Sequence, residues 1–248
     1  MSTTSKISSF ITVRSNSSRL PEKCFLPFGN TTVLEHAIQR AIYYDLDPIV
    51  CTTTEASDDA IIEVAKKCNV KFYRGPAVNK LLRWSQCCEH YNLESFHSID
   101  ADDPFFDGDE VKNSMKMLQE EGLDMVYPTE SSAAGGASVG YSLTASIVKR
   151  ACIGLDIDTD TEMMWYYMAK IPDLRTKIPF ETRKSISNMR LTLDYEEDYW
   201  LLESVRRMVG SLASRDDIDQ LFLSNPDLYK INWFRNNEWK AGQLSKKI

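Results

Sequence analysis

Apolar and polar positions follow two different periods along the first half of the chain. Short apolar runs, typical of buried strands, are separated by longer stretches in which apolar residues recur every three or four positions, as on one face of a helix. One such helical stretch begins at about Thr32. Its apolar positions are Val33, Leu34, Ala37, Ile38, Ala41 and Ile42.

The alternation of these two patterns predicts the fold class. The predicted strands are Ile7 to Val13, Pro48 to Thr52, Val70 to Tyr73, Ser95 to Ile99 and Asp124 to Pro128. The helices after the first are one capped by Ser57-Asp-Asp59 and running to about Cys68, then Asn79 to Tyr91 and Asp109 to Glu121. Strands that alternate with helices indicate an α/β fold with a mainly parallel sheet covered on both faces.

The pattern loosens after Pro128, and the predicted elements become less regular. They are a loop at Ser131 to Gly136, a strand at Ala137 to Ser142, helices at Thr144 to Cys152 and Glu196 to Val209, and between these helices a return strand at Met189 to Leu193. A helix at Arg215 to Leu223 and an aromatic segment at Tyr229 to Trp239 follow. We therefore predict a main domain over residues 1–210, with an insertion at about 129–188, and a helical, aromatic extension over 211–248. The apolar surface of that extension predicts packing across a homodimer.

Composition narrows the classes of protein that fit. A chain of 248 residues that is 43% hydrophobic can bury one full core. The net charge of −7 argues against nucleic acid as a partner, although a local cationic pocket could still hold a triphosphate. The six cysteines form no C-x-x-C pair, which disfavours zinc and haem. The chain shows no signal-peptide pattern and no apolar run long enough to span a bilayer, so we expect a cytoplasmic protein without a membrane partner.

Ligands of open α/β sheets bind beyond the carboxyl ends of the strands, so the loops that follow the strands are the candidate sites. The loop from Arg14 to Lys23 offers two arginines, one lysine, small hydroxyl or amide side chains and many backbone N–H donors. Such a loop can wrap a triphosphate. The alternative is a solvated basic turn.

Carboxylates follow two other predicted strands. Asp100-Ala-Asp102-Asp103-Pro104 comes directly after Ile99, and Asp194 closes the strand that ends at Leu193. Carboxylate oxygens in such places suit Mg²⁺, and Asp102 and Asp194 could share one ion if the sheet brings their strands together. The alternative for both groups is helix capping, with Asp107 or Asp109 as the cap of the helix that follows the first group.

Together, the cationic loop and the two separated aspartates are what nucleotidyl transfer needs. When an acceptor oxygen attacks the α-phosphorus of an NTP, catalysis rests on positioning and charge neutralisation, so no Ser-His-Asp triad is required. Two other classes fit parts of the pattern. Asp100-Ala-Asp102 matches the D-x-D of many glycosyltransferases, and a nucleotide-binding module without turnover would keep the same loops.

These motifs resemble a known family. Ile11-Thr-Val-Arg-Ser-Asn-Ser-Ser-Arg-Leu-Pro-Glu-Lys23, then Pro27-Phe-Gly29 and Leu34-Glu-His36, resemble the opening of the cytidylyltransferases that make CMP-activated acidic sugars (Kdo, sialic and legionaminic acids) and of spore-coat polysaccharide cytidylyltransferases. The family pattern there is I-x-A-R-x-x-S-x-R-L-P-G-K, then P-L-x-G and L-x-E-H or L-I-E-H. Further matches in the same order are Arg74-Gly75, Asn79-x-Leu81-x-Arg83, Asp102-Asp-Pro104 and Arg190-Leu-Thr-Leu-Asp194. The resemblance spans about residues 7 to 205.

The resemblance implies a Rossmann-like nucleotidyltransferase fold of the GT-A type, with CTP or another NTP and a small acidic acceptor as substrates. It implies that Arg19 and Lys23 are catalytic and that Asp102 and Asp194 hold Mg²⁺. The residues implied to bind the nucleotide are Val13, Arg14, Ser17, Arg19, Lys23, Thr52, Thr53, Asn79, Arg83 and Asp100. Those implied to bind the acceptor are Gly136, Ser138, Tyr141, Glu162 and Arg175, and core packing is the alternative role for Tyr141.

The sequence departs from the family pattern at two places. Glu22 replaces the usual glycine before the lysine, which adds negative charge and removes a permissive backbone position. The stretch from Ser131 to Lys184, where the family reads its sugar, matches poorly. Its basic residues Arg175, Lys177, Arg183 and Lys184 suit a carboxylate, phosphate or phosphonate on the acceptor, or a solvated basic face.

Overall fold

A seven-stranded sheet organises the molecule. The computed structural model describes residues 6–133, 140–180, 186 and 188–245. The strands are β1 (Ile7–Thr12), β2 (Pro27–Phe28), β3 (Thr31–Thr32), β4 (Leu46–Thr53), β5 (Lys71–Gly75), β6 (Ser95–Asp100), β7 (Met125–Val126), β8 (Ser142–Thr144) and β9 (Thr176–Lys177). The sheet order is β5-β4-β1-β6-β8-β7-β9, and β2 pairs with β3 separately. Strands β5, β4, β1 and β6 run parallel, whereas β8 is antiparallel to both β6 and β7.

Helices cover both faces of this sheet. They are α1 (Val33–Tyr43), α2 (Asp59–Lys67), α3 (Lys80–Tyr91), α4 (Gly108–Glu120), α5 (Glu130–Ala133), α6 (Ala145–Ala151), α7 (Trp165–Met168), α8 (Glu196–Val209), α9 (Arg215–Ser224) and α10 (Asn236–Ser245). Within the described residues, no helix is long and apolar enough to cross a bilayer.

Neighbouring residues of the central strand point into two different cores. Phe10 stacks on Phe96 at 4.0 Å between ring centroids, in the core that includes Trp84 of α3. Ile11, the next residue, packs with Ile38 of α1 on the opposite face. A strand buried on both faces is apolar at consecutive positions, and this confirms the mainly parallel, doubly covered sheet predicted from the apolar runs.

Helix starts follow the local capping chemistry of the sequence. The Thr32 hydroxyl accepts the Glu35 N–H at the start of α1, and the Asp107 carboxylate accepts the Asp109 N–H at the start of α4. Helix α8 has the predicted bounds, and the Asp198 carboxylate accepts the N–H groups of Asp194 and Tyr195 just before it. The bonds to Thr32 and Asp107 satisfy donors that a helix leaves unpaired, and those to Asp198 fix the chain just before α8.

Several predicted elements were wrong in detail. The segment Met189 to Leu193 is not a strand, because its apolar side chains pack under α8 and α9. It meets the chain after β6 through the Leu193 N–H, which donates to the Asp102 carbonyl (2.7 Å). The strand predicted at Asp124 to Pro128 covers only Met125–Val126. Strand β8 begins at Ser142, and residues 134–139 of the strand predicted at Ala137 to Ser142 and of its preceding loop lie outside the described residues.

The α1 helix is fastened to the chain beyond β6 by a buried histidine. His36, only 2% exposed, lies 2.8 Å from the Pro104 carbonyl through Nε2 and packs against the rings of Phe28 and Phe105. Burial lowers the pKa of His36 from 6.5 to about 4. The neutral ring therefore donates from Nε2 to Pro104, which connects two of the sequence motifs.

We predict that His36 makes the stability of the fold depend on pH. In the unfolded chain the imidazole binds a proton below about pH 6.5, whereas in the folded chain it stays neutral down to about pH 4. Stability should therefore fall as the pH drops from 6.5 to 4, by on the order of 3 kcal/mol from this group. Urea unfolding of the wild type and His36→Gln at several pH values checks this. An equally steep fall in His36→Gln would show that other groups cause it.

Candidate active site

A cavity of about 860 Å³ opens at the carboxyl ends of β1 and β6. Eleven of the residues proposed from the sequence line it. They are Val13, Arg14, Ser17, Arg19, Lys23, Arg83, Asp100, Asp102, Tyr141, Glu162 and Asp194. Most of the proposed side chains therefore lie in one cavity beyond the strand ends, where ligands of open α/β sheets bind.

The loop after β1, residues Arg14 to Lys23, is held from behind by one carboxylate. Asp58 Oδ1 accepts the Ser15 N–H (2.8 Å) and the Ser15 hydroxyl (2.7 Å). Its Oδ2 accepts the hydroxyls of Thr52 (3.1 Å) and Thr53 (2.5 Å) at the end of β4. Burial alone would raise the pKa of Asp58, but these hydrogen bonds outweigh it and lower the pKa. Asp58 therefore supports the loop and, contrary to our prediction, makes no capping bond to α2.

The same contacts correct the proposed role of Thr52 and Thr53. Both side chains are buried behind the loop and do not line the cavity. Their hydroxyls donate to Asp58, so they fix the position of the loop and do not face a nucleoside.

We predict that Asp58→Asn loosens the loop. The amide cannot accept all four hydrogen bonds, so we expect a loss of about 1–3 kcal/mol in stability at neutral pH and weaker nucleotide binding. Because the folded pKa of Asp58 is depressed, the stability it contributes is present above the ordinary pKa of 3.8 and is lost as the pH falls below it. Urea unfolding of both proteins at pH 7 and pH 3 tests this, and a stability difference that does not shrink at pH 3 would contradict it.

Glu22 adopts the left-handed conformation, with φ 54° and ψ 21°. Its N–H bonds to the Ser15 carbonyl (3.1 Å), and its side chain is exposed. The glycine of the family pattern would take this conformation without strain, whereas Glu22 strains the backbone. The hydrogen bond from the Glu22 N–H to Ser15 nevertheless closes the loop.

We predict that Glu22→Gly is more stable than Glu22→Ala by about 1 kcal/mol, because only glycine adopts positive φ freely. The two variants remove the same carboxylate, so charge does not enter the comparison. Thermal unfolding of both, with the wild type beside them, measures the difference. Equal stability of the two variants would show that the backbone at this position is not strained.

The centre of the site is an ammonium held by three oxygens. Lys23 Nζ lies 2.5 Å from Asp102 Oδ2, 2.9 Å from Asp194 Oδ1 and 2.7 Å from the Leu193 carbonyl. Burial opposes the charged form of Lys23, but the two carboxylates outweigh it and raise its pKa. The carboxylates of Asp102 and Asp194 thus contact one cation, the Lys23 ammonium, and lie close enough together to share an ion.

Asp194 is surrounded by positive charge. Its Oδ1 also accepts from Arg19 Nη2 (2.7 Å), and its Oδ2 lies 3.4 Å from Arg190 Nη2. Burial would raise the pKa of Asp194, but Lys23, Arg19 and Arg190 outweigh it and lower the pKa. Arg190 is fixed in turn by Asp198, through bonds of 2.9 and 3.0 Å. Asp194 is therefore not the helix cap, since the N-cap residue of α8 is Tyr195.

Two further carboxylates lie beside Asp102. Oxygens of Asp100, Asp102 and Asp103 all lie within 4.8 Å of one another. Burial raises the pKa of Asp100 to about 6, and burial together with Asp102 and Asp100 raises that of Asp103 well above its usual range. Asp107 caps the following helix, so these upstream aspartates are free to face the cavity.

The side of the cavity next to β4 and β5 includes Arg83 but not Asn79. Arg83 lines the cavity and donates to the Pro76 carbonyl (2.7 Å), and a Cβ at Gly75 would lie 2.8 Å from the Arg83 side chain. Asn79 is buried, caps α3 by accepting the Leu82 N–H and donates to the Asp156 carbonyl. Its amide is therefore committed to local structure and does not face a ligand.

The proposed acceptor residues divide into three groups. Tyr141 and Glu162 line the cavity, and the Tyr141 N–H donates to Ser98 Oγ (3.0 Å). Arg175 does not line it, because it is exposed at the sheet edge and paired with Asp124 through Nε (3.3 Å). Gly136 and Ser138 lie outside the described residues.

The cavity also has lining residues that the sequence did not single out. They are, among others, Lys80, Trp84, Ser98, Trp165, Trp239 and Lys240. Trp84 donates from its ring nitrogen to Thr12 Oγ1 (3.0 Å). Trp239 of α10 lies under the Arg190 guanidinium, at 5.4 Å from the ring centroid, so the C-terminal extension forms part of the wall. The only sequence signal for this was the density of aromatic residues between Tyr229 and Trp239.

Comparison with known proteins agrees with this geometry. The family model described as cytidylyltransferase matches residues 9–152, more than half of the chain. An uncharacterized protein of Methanocaldococcus jannaschii is 25% identical over 234 residues, which cover 92% of this chain and 94% of that protein.

Solved structures share the fold. A cytidylyltransferase from Leptospira borgpetersenii is 24% identical, with a TM-score of 0.80 over 90% of this chain and 96% of that one. A CMP:2-keto-3-deoxy-manno-octonic acid synthetase, solved with CTP, is 12% identical, with a TM-score of 0.61 over 82% of this chain and 99% of that one.

Fold, cavity and family match define a nucleotidyltransferase, an enzyme with a nucleotide as substrate. The chain belongs to the cytidylyltransferase family. The family expected from the sequence motifs is thereby confirmed, and the glycosyltransferase and non-catalytic alternatives are set aside.

Proposed function

We propose that this enzyme transfers CMP from CTP, with Mg²⁺, to a hydroxyl of a small acidic or phosphorylated acceptor and releases pyrophosphate. The observation that carries this is the convergence of Asp102, Asp194 and the Leu193 carbonyl on the ammonium of Lys23. One cluster thus contains the cations that bind a triphosphate and the oxygens that bind a divalent cation.

The cationic loop binds the triphosphate. Arg14, Arg19 and Lys23 all line the cavity, and Arg19 and Lys23 are bonded to Asp194. A triphosphate offers these two side chains stronger, more highly charged acceptors, so we expect them to change partners on nucleotide binding. The acceptor oxygen then attacks the α-phosphorus, and the bond from that phosphorus to the bridging oxygen of pyrophosphate breaks. Arg19 and Lys23 stabilise the charge on the leaving group.

The donor set fits Mg²⁺. Two carboxylate oxygens, from Asp102 and Asp194, lie within 2.9 Å of one cationic nitrogen, and Asp103 Oδ1 is buried with no hydrogen-bond partner among the described residues. Asp102 and Asp194 would hold the ion once Lys23 moves to the nucleotide. Bound there, Mg²⁺ supplies neutralisation of the negative charge on the phosphates.

The acceptor is assigned by class. Tyr141 and Glu162 remain the proposed acceptor residues, whereas Arg175 and Lys177 are paired with Asp124 and Glu121 away from the cavity. An acidic sugar is supported by the structural neighbour named for 2-keto-3-deoxy-manno-octonic acid. We propose a role in making precursors of surface polysaccharides or glycoconjugates in the cytoplasm. A homodimer stays a prediction, supported by the exposed ring of Phe234 in the aromatic extension.

We predict that Lys23→Ala and Asp102→Asn each lower the rate of pyrophosphate release at least about 100-fold, because each removes charge stabilisation at the phosphates. The assay incubates the enzyme with each of the four NTPs, Mg²⁺ and a panel of acidic sugars and phospho-compounds. Release with CTP and one acceptor in the wild type is the expected result.

Lys112→Ala is the matched control for Lys23→Ala. Its ammonium is on the surface of α4, 3.8 Å from Asp109, and does not line the cavity. Its rate should equal that of the wild type, and circular dichroism of all variants shows whether they fold. Near-normal release by folded Lys23→Ala and Asp102→Asn would overturn the assignment of the site, and preference for another NTP would overturn CTP.

A further inference from the structure

Lys80, the first residue of α3, is a largely buried lysine that has no role in the reaction proposed above. It is 8% exposed and lines the cavity. Its ammonium lies over the Trp84 ring, 5.2 Å from the centroid. Within the part of the chain that the structure describes, no oxygen accepts a hydrogen bond from its Nζ. The three N–H donors of this ammonium are therefore left to a ligand or to solvent in the cavity.

Lys23, in the same cavity, is an ammonium whose hydrogen bonds are satisfied, because three oxygens lie within 2.9 Å of its Nζ. A lysine is rarely buried to this extent, so one that lines the cavity and lacks a protein acceptor for its ammonium is expected to serve a ligand there. Burial lowers the pKa of Lys80, but the charges of Glu162 and Asp100 outweigh it, and the pKa is raised. Lys80 is thus an ammonium at neutral pH.

Two of the groups that influence Lys80, Tyr141 and Glu162, are proposed acceptor residues, and the other two, Asp100 and Arg83, are proposed nucleotide residues. Asp100 ends β6, and Tyr141 and Glu162 are the proposed acceptor residues that the structure places on the wall. The triphosphate already has Arg14, Arg19 and Lys23. Lys80 is a cation of the cavity that could pair with a second anionic ligand.

We propose that Lys80 binds the anionic oxygen group, carboxylate or phosphoryl, of the acceptor. This rests on the proposed function, since it places a second anion beside CTP. The Trp84 ring and the charges of Asp100 and Glu162 hold the ammonium in position, and the acceptor oxygens supply its missing hydrogen-bond partners. Lys80 would then select acidic acceptors and orient their hydroxyl towards the α-phosphorus.

The test titrates two small probes into protein saturated with CTP and Mg²⁺. Pyruvate represents a carboxylate and methylphosphonate a phosphoryl group, and NMR of each probe gives its dissociation constant. We expect the wild type to bind at least one probe, and the better probe names the chemistry of the acceptor. Lys80→Met should weaken it at least about tenfold, the range of a hydrogen bond to a charged group. Lys80→Arg should restore most of the affinity.

Two controls make the result specific. Lys66→Met removes an exposed ammonium of α2 that is paired with Glu63, and should change neither probe binding nor CTP binding. The affinity for CTP should stay within about twofold in every variant, and circular dichroism shows whether each variant folds.

Three outcomes would overturn the proposal: neither probe binds the wild type, Lys80→Met binds the probe as well as the wild type does, or Lys80→Met weakens CTP as much as the probe. None of them requires turnover. A lack of pyrophosphate release from the wild type would therefore contradict the proposed function without affecting the probe titration.

Discussion

The contact of Lys23 with Asp102 and Asp194 is the interaction on which the rest of the site depends. It joins three segments that are far apart in sequence: the loop after β1, the chain after β6 and the residues before α8. Without the ammonium, two carboxylates would face each other in a partly buried place, at a considerable electrostatic cost. The other supports act on the same three segments. Asp58 holds the first from behind, His36 fastens the second through Pro104, and Asp198 with Arg190 fixes the third.

Local pattern predicted the regular half of the fold well because burial, period and capping agree there. The β1, β4 and β6 strands are buried on both faces, and α8 begins with acidic residues in its first turn and ends before Gly210. The same reasoning failed for Met189 to Leu193. Alternating apolar residues show that a segment is buried, but they do not show what covers it, and here the cover is α8 and α9 and not a neighbouring strand.

The site was predicted correctly where charged residues follow strand ends. It was predicted wrongly where a polar side chain that could bind a ligand instead satisfies a hydrogen bond within the fold. Cations and carboxylates at strand ends did meet in the cavity. Thr52, Thr53 and Asn79 have groups suited to a nucleoside, yet the same hydroxyls and amide satisfy Asp58 and a helix start. A lysine such as Lys80, at the start of a helix, is normally solvated, so only the packed structure could show it buried.

The part of the cavity wall that α10 forms has a consequence for how the enzyme folds. A Cβ at Gly242 would lie 3.8 Å from Arg19, and Trp239 packs on Arg190, so the loop after β1 meets helix α10. Contacts of such long sequence separation form late in folding, because the intervening chain must be ordered first. A nascent chain that has already folded its central sheet would therefore still have an open, incomplete cavity. The cavity wall is therefore complete only when the loop after β1 and helix α10 have come together.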